Sequence, residues 1–252
     1  DVYNSESALL DEIMTILKTP LTTELPPIKP IPRDFDKGLD LESFANIEKD
    51  EFMKKVDICK DYIAKGHVFQ IQVGRRMKMP QKASPLTMYR YLRYSNPSKY
   101  MFFIKLNGVC ILGSSPELLV GVDGNEVTIK PLAGTRKRYS STKTEEEIMD
   151  ELLNDKKEQA EHVMLVDLAR NDIGKAAKYG TVKVTDLMSV EKYAHVMHIV
   201  SNVIGELKDG MTALDAFKFG FPAGTVTGTP KIRAMEIITE LETVQREFYS
   251  GG

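Results

Sequence analysis

The chain has 252 residues, of which 42% are hydrophobic and 28% are charged, and its formal net charge is −2. This composition supports a substantial core in one large domain or two small ones, and the charge argues against a nucleic-acid or anionic-membrane surface. Two cysteines without metal-ligand spacing, no evident secretory signal and no apolar run of membrane-spanning length predict a soluble, cytoplasmic protein.

The amino-terminal part of the sequence predicts a helix followed by a linker. Residues 5–18 carry apolar side chains at helical spacing, which indicates an amphipathic helix. Five prolines between positions 20 and 32 exclude regular structure there. We therefore expect residues 1–40 to form a helix and a Pro-rich linker, and residues 41–252 to form one larger domain.

The larger domain mixes helix and strand patterns. Apolar residues at helical spacing between 52 and 65 predict a helix that Gly66 ends. Helical patterns also cover 144–176, and strand patterns follow period two or turn signals at 67–76, 100–106, 108–113, 117–122, 125–131, 181–187 and 195–206. No regular βαβ rhythm is present, so the pattern predicts an α+β fold rather than a doubly wound sheet.

A glycine-rich loop leads into the last predicted helix. Thr229 suits the N-cap, Pro230 suits the first helical position, and Lys231 lies in the first turn. A lysine there opposes the helix dipole unless it holds an anion, so the segment is either an anion site or a plain capped helix. It is not a Walker A loop, because Lys231 follows a proline and no Ser or Thr follows it.

Two glutamates in the long helical segment are candidate metal ligands. Glu158 and Glu161 are three residues apart, so they share one face of a helix. Hard carboxylate oxygens suit Mg²⁺, which completes its octahedron with water and substrate oxygens. A solvated helix surface is the commoner outcome for such a pair, and both interpretations stay open here.

Other polar residues are candidates for chemistry. Glu117 would act as a general acid if burial raised its pKa. The segment 131–136 ends a predicted strand in a turn that could bind a carboxylate. His198 lies in a β-branched strand, where a core histidine is the commoner outcome, and Gln70 lies on a strand face that is either solvated or part of a polar cleft.

Read in order, these segments resemble the chorismate-utilising enzymes, most closely the large, aminase subunits of anthranilate synthases. The resemblance covers roughly residues 50–250 and rests on the segments Gly-His-Val-Phe-Gln70-Ile-Gln-Val, Asn96-Pro-Ser-Lys-Tyr-Met-Phe, Ser-Ser-Pro-Glu117, Pro-Leu-Ala-Gly-Thr135-Arg, Ala-Glu161-His-Val-Met-Leu-Val-Asp-Leu-Ala-Arg-Asn-Asp, His-Val-Met-His198 and Phe-Pro-Ala-Gly-Thr225-Val-Thr-Gly-Thr-Pro-Lys231. So many specific motifs in the same order identify the family.

The resemblance implies a fold and an activity. The expected fold is α+β, with two packed antiparallel β-sheets flanked by helices and the active site in the cleft between them. The expected enzyme is a lyase of tryptophan biosynthesis that converts chorismate and ammonia to anthranilate and pyruvate. Mg²⁺ is the implied cofactor, and a glutamine amidotransferase subunit is the implied partner and source of ammonia, in a hetero-oligomer.

The resemblance also assigns roles to individual residues. Glu117 corresponds to the general acid for the departing C4 hydroxyl, and His198 to the histidine near the group lost as pyruvate. The implied substrate contacts are Gly134, Thr135, Thr225 and Tyr249, and the implied Mg²⁺ ligands are Glu161 and Glu158. Gln70 replaces the lysine base of water-adding members and Ala133 replaces the nucleophilic lysine of aminodeoxychorismate synthases, which favours direct addition of ammonia.

Some features depart from the family pattern. Lys99 stands where the family usually has proline, and the tryptophan-binding motif has no match, so we do not expect feedback inhibition by tryptophan. The aminase subunits are longer, and their remaining metal glutamate and carboxylate-binding arginine and lysine have no counterpart here. We therefore expect a truncated fold with little activity alone. The alternatives are an aminodeoxychorismate synthase and a non-catalytic relative that binds an amidotransferase.

Overall fold

A computed structural model describes residues 2–19, 27–28, 39–193 and 196–249. The chain divides into two units, Asp1–Lys37 and Gly38–Gly252. The first contains helix α1 (Val2–Lys18), which confirms the helix predicted over residues 5–18. Most of the predicted Pro-rich linker lies outside the described residues.

The second unit combines helices and strands along its length. Its helices are α2 (Lys49–Ala64), α3 (Pro85–Ser95), α4 (Glu145–Asn154), α5 (Lys156–Ala176), α6 (Ala213–Gly220) and α7 (Lys231–Leu241). Its strands are β1 (Gln70–Ile71), β2 (Tyr100–Leu106), β3 (Val109–Ser115), β4 (Gly121–Asp123), β5 (Glu126–Ile129), β6 (Leu132–Lys137), β7 (Lys183–Lys192), β8 (Val196–Glu206) and β9 (Gly228–Thr229). Within the described ranges, no helix has the length and apolar character needed to cross a membrane.

Strand β8 organises the main sheet. It pairs with β7 along one edge, and along the other edge with β5 and then β6, while β4 extends the sheet beyond β5. The pairs β2–β3 and β1–β9 form two further sheets. Every pairing is antiparallel. Antiparallel sheets flanked by helices confirm the predicted α+β class.

Helix α5 covers one face of the main sheet. Asp155 caps it by accepting from the backbone N–H groups of Lys157 and Glu158. Its buried Val166 and Ile173 pack against Val127 of β5 and Val203 of β8 in one hydrophobic cluster. Burying each such side chain stabilises the fold by about 1.5–3 kcal/mol. This packing fixes α5 relative to β6 and β8, which carry several of the candidate site residues.

Three local predictions were wrong in detail. The strand predicted at 67–76 is confined to Gln70–Ile71, because its partner β9 is only two residues long. The segment 131–136 is mainly strand β6 rather than a turn, since it pairs with β8 around an irregularity at Gly134. Helix α7 begins at Lys231 with Pro230 as N-cap, because Thr229 pairs with Gln70 instead of capping the helix.

Candidate active site

Glu117 follows β3 and reaches the glycine loop, which is the segment 221–230 between α6 and α7. Its Oε2 accepts a hydrogen bond from Thr225 Oγ1 at 3.4 Å. Burial raises the pKa of Glu117 from 4.5 to about 7, although the Thr225 hydroxyl and the backbone of Leu132 both favour the charged form. A carboxyl group with such a pKa can carry and release a proton near neutral pH, as a general acid must.

Glu117 and Thr225 line one small cleft of about 40 Å³. Most of its lining is apolar and comes from α5, from β5, from the segment after β3 and from the loop after α6. It includes Leu118, Leu119, Ile129, Leu165, Leu168 and Ala223. Sites that bind whole small molecules are typically about 300–1,000 Å³, so this cleft encloses the Glu117 carboxyl group rather than a whole substrate. The apolar lining also explains the raised pKa of Glu117.

His198 lies on β8 beside the irregular part of β6. Its Nδ1 is 3.1 Å from the carbonyl oxygen of Gly134 and 2.9 Å from Thr135 Oγ1. Because a carbonyl oxygen can only accept, the Gly134 contact places a hydrogen on Nδ1 and leaves Nε2 as the acceptor of the neutral ring. The ring also packs edge-on against Tyr193, with centroids 5.3 Å apart.

Gly134 has a left-handed backbone, with φ at +68°. A Cβ added there would lie 3.2 Å from Glu158 Oε2 and equally close to Ile199 and Leu152. Glycine therefore lets β6 pass close to α5 without strain. As a result, Gly134 lies between Glu158 on α5 and His198 on β8.

The two predicted metal ligands have different surroundings. Glu158 Oε1 accepts from Arg136 Nη1 at 3.1 Å, and Arg136 also pairs with Asp155 at 2.8 Å. Glu161 Oε1 accepts only a long bond, 3.4 Å, from Gln70 Nε2. Among the described residues, no group of three or more His, Cys, Asp or Glu side chains could hold a metal ion.

Gln70 joins β1 to α5 through this bond with Glu161. Its Oε1 is buried without a hydrogen-bond partner among the described residues. Tyr249 stands apart from the other predicted site residues: it is 59% exposed and lines a separate groove with Val226 and Thr227. Its backbone N–H donates to the carbonyl of Arg246.

The structure decides one open question and adds one residue. Of the two interpretations of Lys231, a site for an external anion is not supported, because Lys231 is buried and the anion that its Nζ contacts is the carboxylate of Asp172 at 2.6 Å. Arg136 is the direct partner of Glu158. Both pairs join segments far apart in sequence, so residue spacing contained no signal for them.

The chorismate binding enzyme family matches residues 8–252, and the chain belongs to this family. Over 210 residues it is 51% identical to the anthranilate synthase component 1 of Bacillus caldotenax, covering 83% of this chain and 41% of that protein. Over 254 residues it is 44% identical to that of Synechocystis sp., covering 99% of this chain and 50% of the relative.

A solved structure has the same fold. Anthranilate synthase component I from Streptococcus pneumoniae TIGR4 superposes with a TM-score of 0.77 at 38% identity, covering 96% of this chain and 52% of that one. These comparisons confirm the family and the fold that the sequence predicts. The chain spans about half the length, or less, of these relatives.

Proposed function

We propose that this chain carries catalytic residues of an anthranilate synthase aminase, which converts chorismate and ammonia to anthranilate, pyruvate and water. The observation that carries the proposal is Glu117, a partly buried carboxyl group with a pKa of about 7 and a hydroxyl neighbour in a small apolar cleft. Similarity to proteins named anthranilate synthase component 1 supports the choice of reaction within the family.

In the proposed reaction, ammonia forms a bond to C2 of chorismate while the ring double bonds shift and the C4–oxygen bond breaks. Glu117 gives its proton to the departing hydroxyl, which leaves as water. Loss of the C2 proton and cleavage of the C3–oxygen bond then release the enolpyruvyl group as pyruvate and make the ring aromatic. His198, whose Nε2 is the acceptor nitrogen of the neutral ring, is the residue proposed to assist at that group.

Gln70 and Ala133 support ammonia as the nucleophile. A neutral amide such as Gln70 cannot deprotonate water, whereas ammonia needs no activation. Ala133 is buried in β6 and has no nucleophilic atom. Gln70 therefore disfavours the addition of water, and Ala133 disfavours a covalent bond between enzyme and substrate.

We propose Mg²⁺ as the cofactor, held by Glu161 and Glu158. The donor chemistry fits, because Mg²⁺ is commonly bound by one or two carboxylates, with water and substrate oxygens completing its octahedron. Glu161 has no ion-pair partner among the described residues, so one carboxylate is available. The bound ion would neutralise the ring carboxylate of chorismate, which we propose lies near Gly134 and Thr135.

We also propose a glutamine amidotransferase subunit as the partner that supplies ammonia. The name component 1 of the relatives, which implies a further component, supports this proposal. Dependence of anthranilate formation on glutamine only when an amidotransferase subunit is added would test it. A reducing, cytoplasmic location is supported by the unpaired thiols of Cys59 and Cys110, and cell fractionation would test that.

The central experiment measures anthranilate fluorescence with chorismate, ammonium and Mg²⁺. It uses the 252-residue chain and a chimera in which this chain replaces the matching residues of the Bacillus caldotenax relative. We expect the chimera to form anthranilate and its Glu117→Gln variant to lose about 10²–10⁴-fold in kcat. Accumulation of aminodeoxychorismate instead would favour the folate-pathway alternative, and amidotransferase binding without turnover would favour a non-catalytic relative.

A further inference from the structure

Lys231 holds both ends of the glycine loop. Its side chain is 8% exposed and that of Asp172, on α5, is 5% exposed. Lys231 Nζ donates to Asp172 Oδ2 at 2.6 Å and to the carbonyl oxygen of Gly220 at 2.9 Å. Gly220 is the last residue of α6 and Lys231 the first of α7, so this one ammonium group closes the loop and ties it to α5.

The loop lies directly against α5 between these ends. Leu168 and Asp172 are one turn apart, so they point from the same face of α5. A Cβ added at Gly224 would lie 1.9 Å from Leu168 Cδ2, which leaves no room for a side chain. Close packing at Gly224 and the ion pair at Lys231 therefore hold the loop on α5, while the pairing of β9 with β1 holds it on its other side.

Hydrogen bonds within the loop and to the segment after β1 also hold it. Thr227 Oγ1 donates to the carbonyl of Ala223 at 2.9 Å. The carbonyl of Thr227 accepts from the backbone N–H of Gln72 at 2.8 Å. Because these bonds keep the loop in one shape, a shift at its ends would be passed on to Thr225, which donates to Glu117.

We propose that Lys231 is a positioning residue, which sets the place where Thr225 meets Glu117 by holding Gly220 to Asp172. The inference rests on the proposed function for the role of Glu117, but the contact itself exists without turnover. A buried ion pair adds little net stability over an apolar pair of similar size. Retaining one here is explained by the third contact, with Gly220, which an apolar pair could not make.

The test replaces both charges together, because removing one partner would leave a buried charge unpaired. The variant is Lys231→Met with Asp172→Leu. A second variant, Lys231→Gln with Asp172→Asn, replaces both charges by neutral amides, of which the glutamine is too short to reach as far as the lysine, and it is used if the apolar pair does not fold. The control is Lys175→Met. Lys175 is the more exposed of the two lysines that pair with Asp172, and its Nζ lies 3.2 Å from Asp172 Oδ1.

The first readout is the pKa of Glu117, measured by ¹³C NMR titration of the chain and assigned with Glu117→Gln. The Thr225 hydroxyl lowers this pKa, so we expect it to rise above the wild-type value of about 7 in the double variant and to stay unchanged in the control. The second readout is kcat/KM with chorismate, measured in the chimera. We expect the double variant to lower it by on the order of ten- to a hundredfold.

An unchanged Glu117 pKa in a folded double variant would overturn the proposal and leave the ion pair a purely structural role. An unchanged kcat/KM with a shifted pKa would also overturn it, since positioning would then not matter to the reaction. Absence of anthranilate in the wild-type chimera would overturn the proposed function instead. The NMR titration would still decide whether Lys231 places Thr225.

Discussion

Thr225 Oγ1 lies 3.4 Å from Glu117 Oε2 although 108 residues separate the two positions. The hydroxyl is the donor of this bond, because an ionised carboxylate can only accept. Two opposing effects therefore act on Glu117: the hydroxyl stabilises its charge, and the apolar surroundings penalise it. Burial dominates, and the pKa reaches about 7.

The first prediction concerns the pH dependence of activity in Thr225→Val. A general acid must be protonated, so activity falls as the pH rises through the pKa of Glu117, which is about 7. Valine removes a donor to the carboxylate, so this pKa rises and the falling limb of kcat/KM moves to higher pH. Thr225→Ser keeps the hydroxyl and is the control; equal profiles for the two variants would contradict the assignment.

The second prediction concerns stability. The pKa of Glu117 is raised from 4.5 to about 7, so its contribution to stability is fully present below pH 4.5 and is lost as the pH rises through 7. At about 1.4 kcal/mol per pKa unit the full loss is about 3 kcal/mol. Glu117→Gln cannot ionise, so the difference in unfolding free energy between it and the wild type should change by about that amount.

Urea unfolding between pH 4 and pH 8 measures this difference. The variant should gain stability relative to the wild type as the pH rises, with most of the gain between the two pKa values. Glu146→Gln, a change at an exposed residue of α4, serves as the control and should show no such trend. A pH-independent difference for Glu117→Gln would mean that Glu117 is not desolvated in solution.

The third prediction separates backbone strain from crowding at Gly134. Gly134 and Gly108 both have positive φ, at +68° and +80°, but only at Gly134 would a Cβ meet close neighbours. We expect Gly108→Ala to lower the unfolding free energy by about 1 kcal/mol through strain alone. Gly134→Ala should cost about 1–3 kcal/mol more, because the side chain over-packs the contact with Glu158 and Leu152. Equal losses would show that β6 can move away from α5.

The fourth prediction concerns the cofactor. If Glu161 holds Mg²⁺, Glu161→Gln removes a charged ligand and should raise the Mg²⁺ concentration needed for half-maximal anthranilate formation by on the order of tenfold or more. Isothermal titration of Mg²⁺ in the presence of chorismate measures the same loss directly. Asp167→Asn, an exposed residue of α5, is the matched control. An unchanged Mg²⁺ requirement would remove Glu161 from the metal site.

The fifth prediction concerns the tautomer of His198. The contact of Nδ1 with the carbonyl of Gly134 requires a hydrogen on Nδ1, so Nε2 carries the lone pair in the neutral ring. ¹⁵N NMR of histidine-labelled protein above the pKa of the ring should show a protonated Nδ1 and an unprotonated Nε2 for the signal that disappears in His198→Asn. The opposite assignment would exclude Nε2 as the acceptor toward substrate.

Local patterns predicted much of this molecule because their cause is local. The periodicity of apolar residues over 144–176 predicted helix, and α4 and α5 occupy that segment. The same periodicity placed Glu158 and Glu161 on one face. The segment that forms β6 contains the glycine and charged residues that are typical of turns, while its pairing with β8 depends on a strand more than fifty residues away.

The sequence by itself determined the family, through the order of its motifs, and the α+β class, through alternating helical and strand periodicities. Only the tertiary structure decided how the charges are used. Lys231 meets Asp172, Glu158 meets Arg136, and Glu117 lies in an apolar cleft that raises its pKa. Coulombic attraction and desolvation depend on distance and burial in three dimensions, and these arise from segments that come together only when the chain is folded.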